Sequence, residues 1–173
     1  MKGNLMNANH PTTASANATS TTRQRSIIAK TALYLGAVSV LGIGVVHIQQ
    51  FYDQDYSTIP TIGTLFFLNF VGAVVIALGL IVPLRRVAGR YADAIRAAFA
   101  VGGIALGVLS LVALFISESS GLFGFEENGY RTAIDLAIVA EVAAALFLLI
   151  FLIANGTGLQ AIRRSGGADT REH

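Results

Sequence analysis

Four long runs of apolar residues constrain this sequence more than any other feature. Each run is close to the ~20 residues that an α-helix needs to cross the hydrocarbon of a bilayer, and is far longer than a barrel strand of about 10 residues. Only helices satisfy their own backbone hydrogen bonds segment by segment in lipid. The runs therefore predict four membrane-spanning helices, at residues 27–48, 59–84, 94–116 and 133–153.

The amino-acid composition agrees with this prediction. Hydrophobic residues make up 54% of the chain and charged residues only 13%, whereas soluble domains carry about 25% charged residues. A soluble domain of 173 residues could not bury so much apolar surface. We therefore predict an all-α membrane protein, a four-transmembrane-helix bundle over residues 26–155.

Polar segments flank the predicted bundle on both sides. Residues 1–25 are rich in Asn, Thr, Ser and Ala, so burial cannot offset the entropy of ordering them. We predict a disordered N-terminal tail there. The run Asn155-Gly156-Thr157-Gly158 is typical of a helix end, and we assign residues 156–173 to a C-terminal tail.

Basic residues are distributed unequally between the two ends of the predicted helices. Cytoplasmic segments of membrane proteins carry an excess of Lys and Arg, so we expect the basic end, and both termini, to be cytoplasmic in a multi-pass protein of the inner (plasma) membrane. The same placement argues against nucleic-acid binding, despite a net charge of +2. The opposite end receives only Arg131, whereas the basic end carries Arg23, Arg25, Lys30, Arg85, Arg86, Arg90, Arg96, Arg163, Arg164 and Arg171.

Acidic residues collect at the predicted outer face, close to a histidine. His47 lies at the outer end of the first helix, and histidine both titrates near neutrality and binds metals. It could form an outward-facing metal or proton site with these acids, although the spacing matches no ligand motif. A headgroup-level anchor beside Tyr52 and Tyr56 is the alternative. The candidate acidic cluster consists of Asp53, Asp55, Glu118 and Glu126.

Small residues recur at helical spacing within the apolar runs. Gly103 and Gly107 form a GxxxG motif, and Gly72 and Gly79 lie seven residues apart. Close backbone approach at such residues is a major source of helix association in lipid. Packing within one bundle and a homodimer face are both open interpretations.

Glu141 is the strongest candidate for a functional group inside the membrane. It lies about nine residues into the fourth helix, roughly 12 Å below the outer surface, where a charge costs at least about 2.5 kcal/mol. Asn69 sits at a matching depth in the second helix, so a purely structural hydrogen bond between the two is the alternative. The sequence predicts a buried polar or proton site formed by Glu141, Asn69 and His47.

The sequence predicts no cofactor and no catalytic residue, and it contains no recognisable set of metal ligands. There is no cysteine, which removes thiolate chemistry. Haem in one protomer would need two axial ligands within the membrane, and the remaining candidates lie outside the predicted helices. These are His10, His173, Met1 and Met6.

Parts of the membrane region resemble a known group of proteins. The segment His47 to Asn69, with Ile59-Pro60-Thr61-Ile62-Gly63 and Leu65-Phe66-Phe67-Leu68-Asn69, resembles a small family of uncharacterised four-helix integral membrane proteins from actinobacteria. The resemblance extends to Gly121-Leu122-Phe123-Gly124-Phe125-Glu126 and to Glu141. It implies four helices and an inner-membrane location, and it carries over no site residue.

Three functions are open from the sequence. Small size and the lack of a catalytic motif favour a non-enzymatic accessory or interaction subunit of a membrane or cell-envelope assembly, with lipids and other membrane proteins, or a second copy, as partners. The first alternative is a small transporter or proton-coupled permease that uses Glu141. The second is an outward-facing envelope-lipid enzyme that uses His47. A permease requires a hydrated path to Glu141. We expect an outward-facing polar cavity between the helices, on which five residues converge: His47, Asn69, Glu118, Glu126 and Glu141.

The absence of native cysteine makes the predicted orientation measurable. Ser57→Cys and Ser165→Cys place one thiol after the first helix and one in the C-terminal tail. Because the basic end is predicted to be cytoplasmic, a membrane-impermeant maleimide should label Ser57→Cys in intact cells and Ser165→Cys only after permeabilisation. The reverse pattern would contradict the orientation, and labelling of both in intact cells would contradict the number of spans.

Overall fold

The computed structural model of the protein describes residues 13–53, 60–120 and 132–156. These ranges are helical almost throughout and contain no strand. A short 3-10 turn, Gly89–Tyr91, lies between two of the helices. The helices are α1 (Thr13–Asp53), α2 (Pro60–Ile81), α3 (Leu84–Ala88), α4 (Ala92–Ser120) and α5 (Thr132–Asn155).

Four segments are long and apolar enough to cross a membrane, and α3, the 3-10 turn and most of α4 form one of them. The most apolar 18-residue stretch of each segment has a mean hydropathy between 1.9 and 2.9. Large apolar side chains such as Leu109 and Ile153 face outward, where lipid can cover them at no cost. The predicted fold class, an all-α bundle of four membrane-spanning helices, is confirmed, and the chain is a multi-pass membrane protein.

Neighbouring helices in the bundle are antiparallel. Between α1 and α5, Gly36 lies against Leu148 and Gly42 lies against Ala140, so residue numbers rise in one helix as they fall in the other. The remaining neighbours follow the same rule. Their contacts are Gly44–Ala73 and His47–Phe66 for α1 and α2, Gly79–Phe99 and Gly72–Leu106 for α2 and α4, and Gly103–Leu148 and Gly107–Glu141 for α4 and α5.

The bundle therefore has two distinct ends. At the Tyr52 end, α1 and α4 end while α2 and α5 begin. At the arginine end, α2 ends and α4 begins, and this end carries Arg85, Arg86, Arg90 and Arg96. Around the ring the helices follow the order α1, α2, α4, α5, with α1 and α4 diagonally opposite.

The apolar core occupies the middle of the bundle and its arginine end. Val40, Ile43, Leu80 and Leu148 are completely buried there. Since lipid tails are as apolar as these side chains, close packing and not the removal of water stabilises the core. The interior is therefore closed between the centre and the arginine end.

Helix α1 extends further toward the N-terminus than the sequence predicts. Residues 13–25 are helical, although we expected residues 1–25 to be disordered; residues 1–12 lie outside the described ranges. The apolar span supplies a helix nucleus, and each added residue then gains a local hydrogen bond without needing burial. Residues 23–28 are accordingly all exposed, and Ala29 is the first buried residue of α1 in the described part.

Helix α2 ends at Ile81, before the predicted boundary at residue 84. Pro83 lacks an N–H group and disfavours the helical conformation of the residue before it. Arg96 of α4 satisfies the carbonyl groups left at this helix end. Its Nε donates to the Leu80 carbonyl at 3.3 Å and its Nη2 donates to the Val82 carbonyl at 3.1 Å.

The glycines predicted at helix contacts lie between helices of one protomer. Gly103 lies against Leu148, Gly79 against the ring of Phe99, and Gly72 against Leu106. Gly107 lies against the backbone of Glu141, and a Cβ atom there would lie 3.1 Å from the Glu141 carbonyl oxygen. A glycine at this position lets α4 approach the backbone of α5.

A larger side chain at Gly107 should therefore force α4 and α5 apart. We expect Gly107→Leu to lower the free energy of unfolding by about 1–3 kcal/mol, the usual cost of overpacking. Ala105→Leu is a matched control because Ala105 is exposed on the same helix, and it should stay within about 0.5 kcal/mol of wild type. Denaturant titration in detergent micelles, followed by circular dichroism, measures both. Equal effects would show that α4 does not approach α5 at Gly107.

Candidate functional site

Glu141 is the most buried ionisable side chain in the described ranges, with 2% of its surface exposed. It lies about nine residues from the start of α5, or roughly 13 Å along the helix axis. The inward face of α5 positions it, because the buried residues of this helix recur at helical spacing. They are Ile134, Glu141, Ala144, Leu148 and Phe151.

A chain of hydrogen bonds links three helices at this level. The Asn69 Nδ2 atom on α2 donates to the Ser110 Oγ atom on α4 at 2.5 Å. The Ser110 hydroxyl in turn forms a side-chain hydrogen bond with Glu141 on α5. Asn69 and Glu141 therefore lie at matching depth, as expected, but Ser110 stands between them in place of the direct bond that was the alternative interpretation of the sequence.

Two acceptor atoms of this chain are left without a partner. Glu141 Oε2 and Asn69 Oδ1 are both buried and accept no hydrogen bond from the part of the protein that the structure describes. An unpaired buried polar atom costs about 1–3 kcal/mol. The arrangement is thus incomplete as a purely structural network.

A cavity of about 370 Å³ lies between the four helices at this level. Its wall is mostly apolar, but each of the four helices α1, α2, α4 and α5 contributes at least one polar side chain to it. The polar residues of the wall are His47, Gln50, Asn69, Ser110, Ser117 and Glu141. The three residues of the predicted buried site therefore share one cavity.

His47 is held in a defined orientation on the α1 side of the cavity. Its Nδ1 atom lies 2.8 Å from the Ile43 carbonyl, which can only accept, so Nδ1 carries a proton. The ring packs beside Phe66 of α2, with 5.0 Å between the ring centroids. His47 therefore belongs to the interior of the bundle, and in the neutral ring its Nε2 atom is an acceptor.

Only part of the predicted outer acidic cluster lies within the described residues. Asp53 is exposed at the last residue of α1. Asp55 and Glu126 lie outside the described residues, as does the side chain of Glu118. Within the described ranges, no three histidine or acidic side chains are grouped so that they could hold a metal ion.

Sequence reasoning missed Ser110, Gln50 and Ser117. The signal for Ser110 was present, because it follows Gly107 by one helical turn and lies at the depth of Asn69. The sequence alone does not single it out, because a serine within a helix commonly bonds a carbonyl of its own helix. Gln50 and Ser117 are buried near helix ends, where polar residues are ordinarily expected to meet water.

Fold and site together define a class: a multi-pass membrane protein of four helices with a polar group buried beside an internal cavity. No protein-family model, no curated protein and no solved structure matches the chain. Its resemblance to the actinobacterial family stays a prediction.

The bond between Asn69 and Ser110 can be tested with a double-mutant cycle. Because the two side chains bond directly, the effects of Asn69→Ala and Ser110→Ala on the free energy of unfolding should couple by about 0.6–2 kcal/mol. Ser39→Ala is the matched control, since the Ser39 hydroxyl bonds the Leu35 carbonyl of its own helix at 2.9 Å. Its coupling to Asn69→Ala should be near zero, and equal coupling for both serines would contradict the network.

Proposed function

We propose that this protein is a small membrane permease that binds a small molecule in its internal cavity in exchange for a proton on Glu141. One observation carries the proposal. A carboxyl group that is 2% exposed, with one oxygen unpaired in the described chain, lines a cavity of about 370 Å³ between four membrane-spanning helices.

The size of the cavity supports a binding role. Protein interiors are close-packed, with few voids larger than a water molecule, whereas ligand pockets begin at about 300 Å³ and are mostly apolar with a few polar groups. A carboxyl group that only held helices together would need no such space. Leu148, two turns further along α5, is an example of a side chain that only packs helices together, because it is fully buried against Gly36 and Gly103.

The surroundings of Glu141 support a coupling between ligand and proton. A carboxylate among apolar groups is costly unless it is neutralised, and the described cavity wall contains no lysine or arginine. A proton or a ligand must therefore balance the charge. Since both act on the same carboxylate, each weakens the binding of the other, and such competition is the coupling that a proton-driven permease requires.

The position of the cavity supports access from one side. Its wall includes Gln50, Ser117 and Ala133, which lie close to the Tyr52 end of the helices. The core around Val40, Leu80 and Leu148 separates it from the arginine end. A transporter is closed on one side of its site in each of its states.

We also propose that the protein lies in the plasma membrane, with the arginine end and both termini in the cytoplasm. The exposed Arg85, Arg86 and Arg90 at one end support this orientation. The Tyr52 end would then face outward, and the cavity would receive its ligand from the outer side.

The other two functions predicted from the sequence are less well supported. An accessory subunit would explain the small size of the chain but not the cavity. An outward-facing lipid enzyme would need acidic partners for His47, and Asp55 and Glu126 lie outside the described residues. Both stay predictions.

Water access to the cavity decides between a permease and a sealed structural carboxyl. Ala137 lines the cavity one turn from Glu141, whereas Ala144 on the same helix is completely buried in the core. In vesicles that expose the Tyr52 end, Ala137→Cys should react with a charged, water-soluble methanethiosulfonate reagent, and Ala144→Cys should not. Intact-protein mass spectrometry measures the extent of reaction. If Ala137→Cys is as unreactive as Ala144→Cys, the cavity is sealed and the permease proposal fails.

A further inference from the structure

We infer that the molecule bound in the cavity is an organic cation with at least two N–H donors and an apolar body, of the alkylammonium or guanidinium type. This inference rests on the proposed function and names its ligand class. It follows from the hydrogen-bonding groups, the charge and the apolar surface that the cavity wall presents.

The cavity wall presents an excess of hydrogen-bond acceptors. Glu141 Oε2 and Asn69 Oδ1 have no partner in the described chain. His47 adds a third acceptor, because its Nδ1 atom is bonded to the Ile43 carbonyl and the neutral ring keeps a lone pair on Nε2. A ligand that satisfies these atoms must bring donors.

Donors of the polar residues in the wall are already engaged within the protein, although the Asn69 amide keeps a second N–H. Asn69 Nδ2 donates to Ser110, Ser110 bonds Glu141, and His47 Nδ1 is bonded to the Ile43 carbonyl. Gln50 adds an amide with both donors and acceptors, and so does not remove the excess. A ligand carboxylate or phosphate would find few donors among these residues, and the Glu141 carboxylate would repel its negative charge once that group ionises.

The charge of the site points to a cation. Among the described lining residues, Glu141 of α5 and His47 of α1 are the ionisable groups, whereas α2 contributes Asn69 and α4 contributes Ser110 and Ser117. In the empty cavity a proton on Glu141 keeps the carboxyl neutral. When the cation binds, that proton leaves to water and the ammonium or guanidinium group takes its place, so the net charge of the site is unchanged.

The remaining wall fits an apolar body. Leu65, Leu68 and Leu109 line the cavity and are also exposed on the outside of the bundle, by 43%, 56% and 67%. The cavity therefore reaches the lipid-facing seam between α2 and α4. Amphipathic cations concentrate at the membrane interface, since their apolar part favours lipid and their charge favours the headgroups.

Four probes that share a benzyl group test this inference by isothermal titration calorimetry on the full chain in detergent micelles, with empty micelles as the blank. Benzylguanidinium carries both charge and N–H donors. Benzyltrimethylammonium carries a positive charge without N–H donors. Benzyl alcohol carries a donor without a charge, and phenylacetate carries a negative charge. Titrations in two buffers of different ionisation enthalpy report whether binding releases a proton.

We expect benzylguanidinium to bind about tenfold or more tightly than the other three probes, because hydrogen bonds between charged groups are the strong ones. Binding should release a proton in wild type. Glu141→Gln should weaken benzylguanidinium about tenfold or more and abolish proton release, while benzyl alcohol binding changes little. Asn69→Ala is the second variant, and it should weaken the binding of benzylguanidinium while proton release persists. With two variants, a folding defect in Glu141→Gln alone does not decide the test.

Three results would overturn the ligand class, and they differ in what they say of the permease. If benzyl alcohol or benzyltrimethylammonium binds in the cavity as tightly as benzylguanidinium, the cavity binds ligands but does not select N–H cations. If no probe binds while Ala137→Cys is reactive, the cavity is accessible and its ligand belongs to another class. If no probe binds and Ala137→Cys is unreactive, the ligand class and the proposed function fail together.

Discussion

Hydrocarbon offers a peptide group no hydrogen-bond partner, and the architecture of this protein follows from that constraint. The four apolar segments are helical because a helix bonds its own backbone. Lipid gives such helices no hydrophobic reason to associate, so they pack where small residues allow close contact. Leu148 lies against both Gly36 and Gly103 and thereby connects α5 to α1 and α4. The order of the helices around the ring depends on contacts of this kind.

The polar site depends on the same close packing. Gly107 lets α4 lie against the backbone at Glu141, and Ser110 follows one turn later on the same face. Its hydroxyl can therefore bond the carboxyl of α5 while it accepts a bond from Asn69 of α2. A polar network in an apolar interior stabilises a structure only when it is fully satisfied. Here two acceptors are unpaired in the described chain beside a cavity, which favours a ligand over a structural role.

Part of this site could be predicted because depth in a membrane helix is proportional to residue number. Counting along the chain placed Asn69 and Glu141 at one level, and it placed His47 at the outer end of the first helix. Counting does not give the rotation of a helix about its axis, so it left a direct bond between these two residues open where Ser110 intervenes. Ser39 has the same chemistry as Ser110 but bonds its own helix. Residue type alone does not distinguish the two serines.

The sequence by itself determined the helical class, the four spans and the matching depth of Asn69 and Glu141, because these depend on apolar length and on hydrogen bonds within each segment. The length of α1 was underestimated from the sequence, because residues 13–25 were expected to need burial in order to be helical, whereas local hydrogen bonds suffice. Only the tertiary structure decided the ring order, the bridging position of Ser110, and the cavity that Glu141, Asn69 and His47 share. These properties arise from how helices of different chain regions rotate and pack against each other, and no local pattern of residues encodes that geometry.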